Sequence, residues 1–261
     1  MLFWRKKLAN KNLQMPDFLI IGAMKCGTTS LYRYLIQHPQ IEPAIKKEIH
    51  YFDLNYNKPI QWYLNQFPAL KTQSDRITGE ATPYYIFHPH APYRIKEHMP
   101  DAKIIVLLRN PVDRAYSHYH YAVERYGETL SFEEALDIEN ERLAGEMEKF
   151  QKNPYYKSRN YRCFSYQKRG IYIEQLEVWG KLFPKEQILI LEFCEFFSNI
   201  SDSMNKVTDF LGVSRFKFQF EVYNQGNYPP MSIETRKRLV EYFKPHNERL
   251  FQFLGQTYNW N

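Results

Sequence analysis

The sequence predicts an α/β domain, with one mainly parallel sheet flanked by helices, within a chain of 261 residues. Two apolar runs carry this reading: "DFLII" (17–21) and the core of "AKIIVLLRNP" (102–111) are continuous rather than alternating, which suits strands covered on both faces. Strand-like and helix-like stretches also follow one another along the whole length, the pattern of a doubly wound sheet. No internal repeat or low-complexity linker divides the chain, and its length fits one large domain.

Taken in order, "DFLII" ends at Gly22, and "TSLYRYLIQHP" then places Leu31, Tyr34 and Leu35 on one helical face until Pro39 stops the helix. "KEIHYFD" (47–53) alternates as an extended segment, "RITGEATP" holds a short strand ending at Gly79, and "AKIIVLLRNP" is the strongest buried strand. Helical patterns fill "VDRAYSHYHYAVERY" and "SFEEALDIENERLAGEMEKF", the second opening on a Ser131/Glu134 capping box. "QKNPYYKSRNYRCFS" is polar and aperiodic, an irregular loop or a cleft rim. Helix resumes at "IYIEQLEVWGKLF", strand at "QILILEF", and helix at "SNISDSMNKVTDFLG", closing on Gly212. After the turn-rich "YNQGNYPPMS" come a helix from about 232 to 243 and a last short one at "HNERLFQFLG". Residues 1–15 read as an N-terminal extension and 16–261 as the domain.

Composition narrows the function classes. Three cysteines, Cys26, Cys163 and Cys194, have no C-x-x-C spacing, so neither a disulfide framework nor a zinc site is expected. No run approaches the roughly 18 apolar residues of a membrane span, and "MLFWRKKLANKN" lacks the apolar core of a signal peptide, so the expectation is a cytoplasmic protein. The net charge of +6 suits a nucleotide, a polyanion or a nucleic acid, although the basic residues are dispersed and carry no nucleic-acid recognition motif.

"FLIIGAMKCGTTSLYRYL" (18–35) offers strand, glycine loop and helix, the setting of a phosphate loop in a P-loop-NTPase-like domain. Its lysine is displaced: Thr28 follows the second glycine, and Lys25 sits inside the loop. Loop N–H groups, the free N–H groups of the helix starting near Thr28 and the hydroxyls of Thr28 and Thr29 would hold a phosphate. A triphosphate site also needs magnesium, commonly on an Asp ending a neighbouring strand. Here that strand ends in Arg109, and Asp113 falls at a helix start, where a capping role is the natural one. Arg109 with Ser117 in the next helix can grip a second phosphate. Two phosphate sites without a metal describe a 3′,5′-bisphosphorylated adenosine better than a triphosphate. A P-loop kinase with an unusual loop and a non-catalytic nucleotide- or polyanion-binding module are the alternatives.

"PDFLIIGAMKCGTTSLYRYL" together with "IIVLLRNPVDRAYSHYHY" resembles the sulfotransferases, in particular the heparan sulfate N- and 3-O-sulfotransferase branch and its bacterial relatives. "KKEIHYFD" and "NQGNYPPMSIETRKRLVEYFKPHNERLFQFLG" are similar to two further elements of that family, so the resemblance runs from about residue 16 to 255. It implies a 3′-phosphoadenosine 5′-phosphosulfate (PAPS) donor. Its 5′-phosphosulfate would lie on the loop, with Lys25, Cys26, Gly27, Thr28, Thr29 and Ser30, and its 3′-phosphate on Arg109 and Ser117. It also implies a hydroxyl or amine acceptor, in the first instance a carbohydrate. Gln225-Gly226 stands where some animal members have Lys-Gly, which removes a cationic contact, and the cysteine pair of secreted members has no equivalent.

For sulfuryl transfer the residues offer Glu48 as general base, and since residues two apart on an extended segment share a face, His50 would point with it into the cleft while Lys47 and Ile49 point away. The resemblance implies the same Glu, with His50 as its helper or as an acceptor-positioning group. Lys25 would meet the bridging oxygen of the phosphosulfate and stabilise charge growing there. Glu80 is read as reaching the acceptor or capping the next segment. Arg169 is read as reaching the donor or an acidic acceptor, or as a surface cation. Gly226 and Tyr228 form a lid over the adenine or an ordinary turn. His118 and His120 are read as helix-face residues rather than ligands.

Overall fold

The computed structural model describes residues 14–69, 75–221 and 226–260. The extension expected over 1–15 therefore falls, up to residue 13, outside the described residues, as does Gln225.

The two apolar runs form the centre of the sheet. β1 (Phe18–Gly22) is buried along its whole length and pairs in parallel with β4 (Lys103–Leu108), where all but Lys103 is buried. Side chains covered on both faces explain why neither run alternates. β3 (Ile77–Ala81) pairs on the other side of β1, and the sheet ends in β2 (Ile41–Pro43) and β5 (Ile188–Glu192). The order β2-β3-β1-β4-β5 is parallel throughout, so every crossover carries helix or loop back along the sheet. β2 has no counterpart in the sequence reading; three residues ending in Pro43 are too few to show a period.

Helices cover the sheet. α1 (Thr28–Leu35) follows β1, and α2 (Ile60–Leu64) and α3 (Ala91–His98) flank β3 in sequence. α4 (Pro111–Tyr126) follows β4, with Asn110 as N-cap accepting the Val112 N–H at 3.0 Å. The next helical pattern is broken into α5 (Phe132–Asp137), α6 (Glu139–Leu143) and α7 (Glu146–Lys152). The capping box predicted at Ser131/Glu134 opens α5, and Gly145, at φ +72°, separates α6 from α7. The stretch read as irregular contains α8 (Arg159–Cys163), capped by Ser158. α9 (Tyr172–Leu182) packs on α3, while α10 (Phe193–Ser198) and α11 (Ile200–Leu211) lie against β5.

The C-terminal region departs from the sequence reading. The two helices expected there are a single one, α12 (Ile233–Leu254), which runs through Pro245. Proline removes one N–H from the ladder, yet Leu239, Phe243, Asn247 and Leu250 keep a buried stripe on both sides of it, packed towards α9 and α4. Tertiary burial outweighs the lost hydrogen bond.

Candidate active site

β1 and β4 lie side by side, and the loops and helices beyond their carboxyl ends converge on a cleft of about 1370 Å³. Such a position, between neighbouring strands whose connections diverge, is where ligands of open α/β sheets bind. Every candidate residue named from the sequence except Cys26 and Glu80 lines this cleft, including Lys25, Gly27–Ser30, Glu48, His50, Arg109, Ser117, Arg169, Gly226 and Tyr228.

The glycine loop is held from below. Ala23 N–H donates to Leu107 O (2.8 Å), tying the loop to β4, and a Cβ on Gly22 would lie 2.4 Å from Ile86 Cγ2, so any side chain there would have to displace Ile86. Gly27, at φ +89°, is the N-cap of α1, and no side chain caps the helix. The first-turn N–H groups of Thr28, Thr29 and Ser30 therefore stand at a positive helix end without a side-chain acceptor, and their residues line the cleft. The structure removes Cys26 from the ligand-facing set. Its N–H is spent on Ala23 O (3.2 Å), its side chain is fully buried 3.7 Å from the Tyr172 hydroxyl, and burial pushes the thiol up to about 11.

Cations surround this loop. Lys25 Nζ lies 4.7 Å from the Tyr121 ring centre, and burial first, then the neighbouring Arg109, lowers its pKa. Arg109 reaches Lys25 O at 3.3 Å and lies over Phe193 at 4.8 Å. Among the described residues no carboxylate forms an ion pair with either side chain, although Glu124, on the same cleft, acts on Lys25 from further off. Ser117 faces the same cleft from α4. Asp113 has a first-turn position in α4 and pairs with Arg236. Among the described residues no cluster of three His, Cys, Asp or Glu side chains could hold a metal ion.

Glu48 and His50 join the cleft from the segment tied to the β3 end. The structure corrects the extended reading of 47–53: Glu48 (φ +61°) and His50 (φ +57°) are left-handed, and the segment is a looped turn. The two side chains still meet, His50 Nε2 lying 3.5 Å from Glu48 Oε2, because two left-handed residues fold the chain back instead of a pleat aligning them. Among the described residues the non-glycine positions with positive φ are Lys25, Glu48 and His50, all three in this cleft. Each such conformation costs about 1–3 kcal/mol and persists only where its surroundings impose it.

Those surroundings are visible. Glu80, fully buried on β3, accepts from Tyr63 (2.8 Å), Tyr85 (3.0 Å), Thr82 (2.6 Å) and the Ile49 N–H (3.3 Å). It therefore neither touches the cleft nor caps a helix; it braces the turn between Glu48 and His50. Asp53, also buried, holds His50 Nδ1 at 2.7 Å, a partner the sequence reading leaves out although it stands three residues on in "KEIHYFD". Lys47, expected to point away, instead lines the cleft and sits 2.5 Å from Glu48 Oε1. Burial alone would raise the Glu48 carboxyl, but His50 and Lys47 outweigh it and hold it down at about 2. Burial alone would lower the His50 imidazole, but Asp53 and Glu48 raise it to about 9.

Arg169 is not a surface cation. It is fully buried in a 3₁₀ turn (Lys168–Gly170), where its guanidinium bonds Arg162 O (2.7 Å), touches Met24 Sδ (2.9 Å) and stacks over Tyr84 and Phe87. The N–H groups of Gln167 and Lys168, leading into that turn, donate to buried Glu139 at 2.7 and 2.8 Å. Burial pushes Glu139 up to about 7 from 4.5. The folded chain thus holds this proton more tightly than the unfolded chain between those values, so the contribution of Glu139 to stability is complete in acid and lost as pH rises through about 7. Relative to wild type, E139Q should gain stability across that window, by up to about 3 kcal/mol. Thermal melts at several pH values check this, and a gap independent of pH would contradict it.

His118 and His120 occupy different faces of α4. His118 is fully buried in the core, whereas His120 lines the cleft and stacks flat on Tyr228 at 4.3 Å and 7°. Gly226 and Tyr228 thus lie beside the Ser117 side of the cleft.

Residues 15–225 match the family model described as the sulfotransferase domain. The chain belongs to the sulfotransferase domain family. The class of enzyme expected from its sequence, a sulfotransferase, is the class of that family. It is 30% identical to the membrane-associated sulfotransferase kil1 of Dictyostelium discoideum, covering 96% of this chain and 67% of that protein. It is likewise 30% identical to human heparan sulfate glucosamine 3-O-sulfotransferase 3B1, covering 95% of this chain and 65% of that one. The chain spans about two thirds of the length of these curated relatives. Among solved structures it resembles a sulfotransferase from Alicyclobacillus acidocaldarius, with a TM-score of 0.75 and 32% identity over 94% of this chain and 98% of that one. No helix among the described residues is long and apolar enough to cross a membrane.

Proposed function

We propose that this sulfotransferase moves a sulfuryl group from PAPS to a hydroxyl or amine acceptor, with a carbohydrate as the acceptor class. The observation that carries the reading is the convergence, in one cleft, of the uncapped start of α1 with Lys25, Arg109 and Ser117, neither cation being ion-paired with a carboxylate among the described residues. Donors of this kind fit the 5′-phosphosulfate and 3′-phosphate of PAPS and need no divalent ion. Thr28, Thr29 and Ser30, with Gly27 giving the backbone access, would hold the first anion, and Arg109 and Ser117 the second. Gly226 and Tyr228 would border the nucleotide. Arg169, which lines the cleft from its buried turn, would add a cation to the donor site while its contact with Met24 supports the loop.

When bound, PAPS supplies an activated sulfuryl group on a good phosphate leaving group. Glu48 takes the proton of the acceptor O–H or N–H as the new bond to sulfur forms and the bond from sulfur to the phosphate oxygen breaks. Adenosine 3′,5′-bisphosphate and the sulfated acceptor result. Asp53 keeps His50 cationic, so His50 orients Glu48 and takes no proton itself. Lys25 places positive charge where the leaving oxygen becomes negative.

The carbohydrate class is supported by the relatives named for heparan sulfate. We further propose that 16–261 acts as one sulfotransferase domain. Free Cys26, Cys163 and Cys194 favour a reducing, cytoplasmic setting, with the membrane-associated relative marking membrane association as the competing location. Transfer of radiolabelled sulfate from PAPS to a panel of glycans, amines and phenols tests the function. Label on a glycan is expected; PAPS turnover with no labelled acceptor of any class would contradict it.

A further inference from the structure

We infer that Lys47 is a latch on Glu48, opened by an anionic group of the acceptor. The inference rests on the reading of Glu48 as the base. In the structure both carboxylate oxygens are engaged by cationic side chains, Oε1 by Lys47 at 2.5 Å and Oε2 by His50 at 3.5 Å. A carboxylate held this way is a poor proton acceptor, so one contact must loosen before an acceptor hydroxyl can approach.

The two contacts are not equally movable. His50 is fixed from behind by Asp53, which is buried, and its N–H meets Thr82 Oγ1 at 3.4 Å, itself bonded to Glu80. Lys47 has no second hydrogen-bond partner among the described residues; its ammonium rides on a flexible four-carbon stem beside exposed Ile45 and Lys46. Lys47 is therefore the contact that yields. A carboxylate or sulfate on the acceptor, next to the reacting group, would draw Lys47 off Oε1 and free that oxygen as base. Arg162, on the same cleft and without a carboxylate partner among the described residues, adds a second cation for such an acceptor. A neutral acceptor leaves the latch shut. The site would thus select anionic acceptors by rate as well as by binding.

Several charged groups face this pair. Asp53 and Glu80 lie behind the turn, and His88 and Arg94 act on the same cluster from beyond β3 and from α3. None of them is altered in the test. Nitrogen-labelled histidine in the whole chain reports the titration of His50 by NMR. Removing the Lys47 charge in K47M should raise the His50 midpoint by about one pH unit, because Glu48 then acts on it alone, while K47R should keep the wild-type value. A hyaluronan oligosaccharide, carrying carboxylates, should raise the wild-type midpoint by a similar amount and leave K47M nearly unmoved. A neutral chitin oligosaccharide should move neither.

Coincident midpoints in wild type and K47M would overturn the latch, as would a wild-type midpoint indifferent to hyaluronan or an equal rise in K47M. This titration needs no turnover. Absence of sulfate transfer would sink the functional reading and leave the latch result readable, whereas an unmoved His50 would sink the latch and leave sulfate transfer intact.

Discussion

Replacing Glu48 with glutamine, E48Q, is expected to slow sulfuryl transfer by about 10²–10⁴-fold, the usual contribution of a general base, while adenosine 3′,5′-bisphosphate binds as to wild type. The separation follows from position. Glu48 is tied to the β3 end, its N–H donating to Ala81 O, and its carboxylate contacts Lys47 and His50; among the described residues it makes no hydrogen bond to the loop N–H groups or to Arg109. Glutamine keeps the length and one acceptor oxygen for these cations, so the turn braced by Glu80 and Asp53 should fold unchanged. Steady-state turnover beside calorimetric affinity for the bisphosphate measures both halves. Near-normal turnover in E48Q would remove Glu48 from the role; joint loss of turnover and affinity would make it a structural residue.

Arg109→Ala is expected to weaken adenosine 3′,5′-bisphosphate binding by about 10–100-fold, since a hydrogen bond to a charged group contributes about 1.5–3 kcal/mol. Adenosine 5′-monophosphate, which lacks the 3′-phosphate, should lose little. The reason is again geometric: Arg109, just past β4, reaches the same cleft as Ser117 and lies over the Phe193 ring, while the first anion would have the α1 N-terminus. Arg109→Lys should fall between, because an ammonium cannot match the planar fork. Equal losses for both nucleotides would show that Arg109 serves the 5′ site or the loop, where it touches Lys25 O.

Much of the cleft is legible in the chain because the informative segments are local. A buried strand, a glycine turn and a helix start are each written in adjacent residues, so "FLIIGAMKCGTTS" and "IIVLLRNP" locate two ends of one cleft without any long-range knowledge. The hidden features depend on contacts between distant residues or on backbone strain. "KEIHYFD" alternates like a strand, yet Glu80 and Thr82 from the β3 end bind its N–H groups and hold a left-handed turn that no periodicity records. The same turn brings Lys47 back onto Glu48, against the expectation from alternation. Arg169 resembles an exposed cation in sequence because its guanidinium partners, Arg162 O and Met24, lie on other segments. Pro245 resembles a helix end because local propensity disfavours it, whereas α12 is held by the stripe it buries. Cys26 belongs to the loop by sequence position, but its side chain turns inward beneath it.

Isothermal titration of the wild-type chain in a chelating buffer is the most direct test of a cleft built for two separate anions on one nucleotide. Adenosine 3′,5′-bisphosphate should bind tightly with metal withheld, at least about tenfold better than the 5′-monophosphate, and magnesium with ATP should do no better than the monophosphate. Tight, magnesium-dependent ATP binding, with no advantage from the 3′-phosphate, would contradict the account.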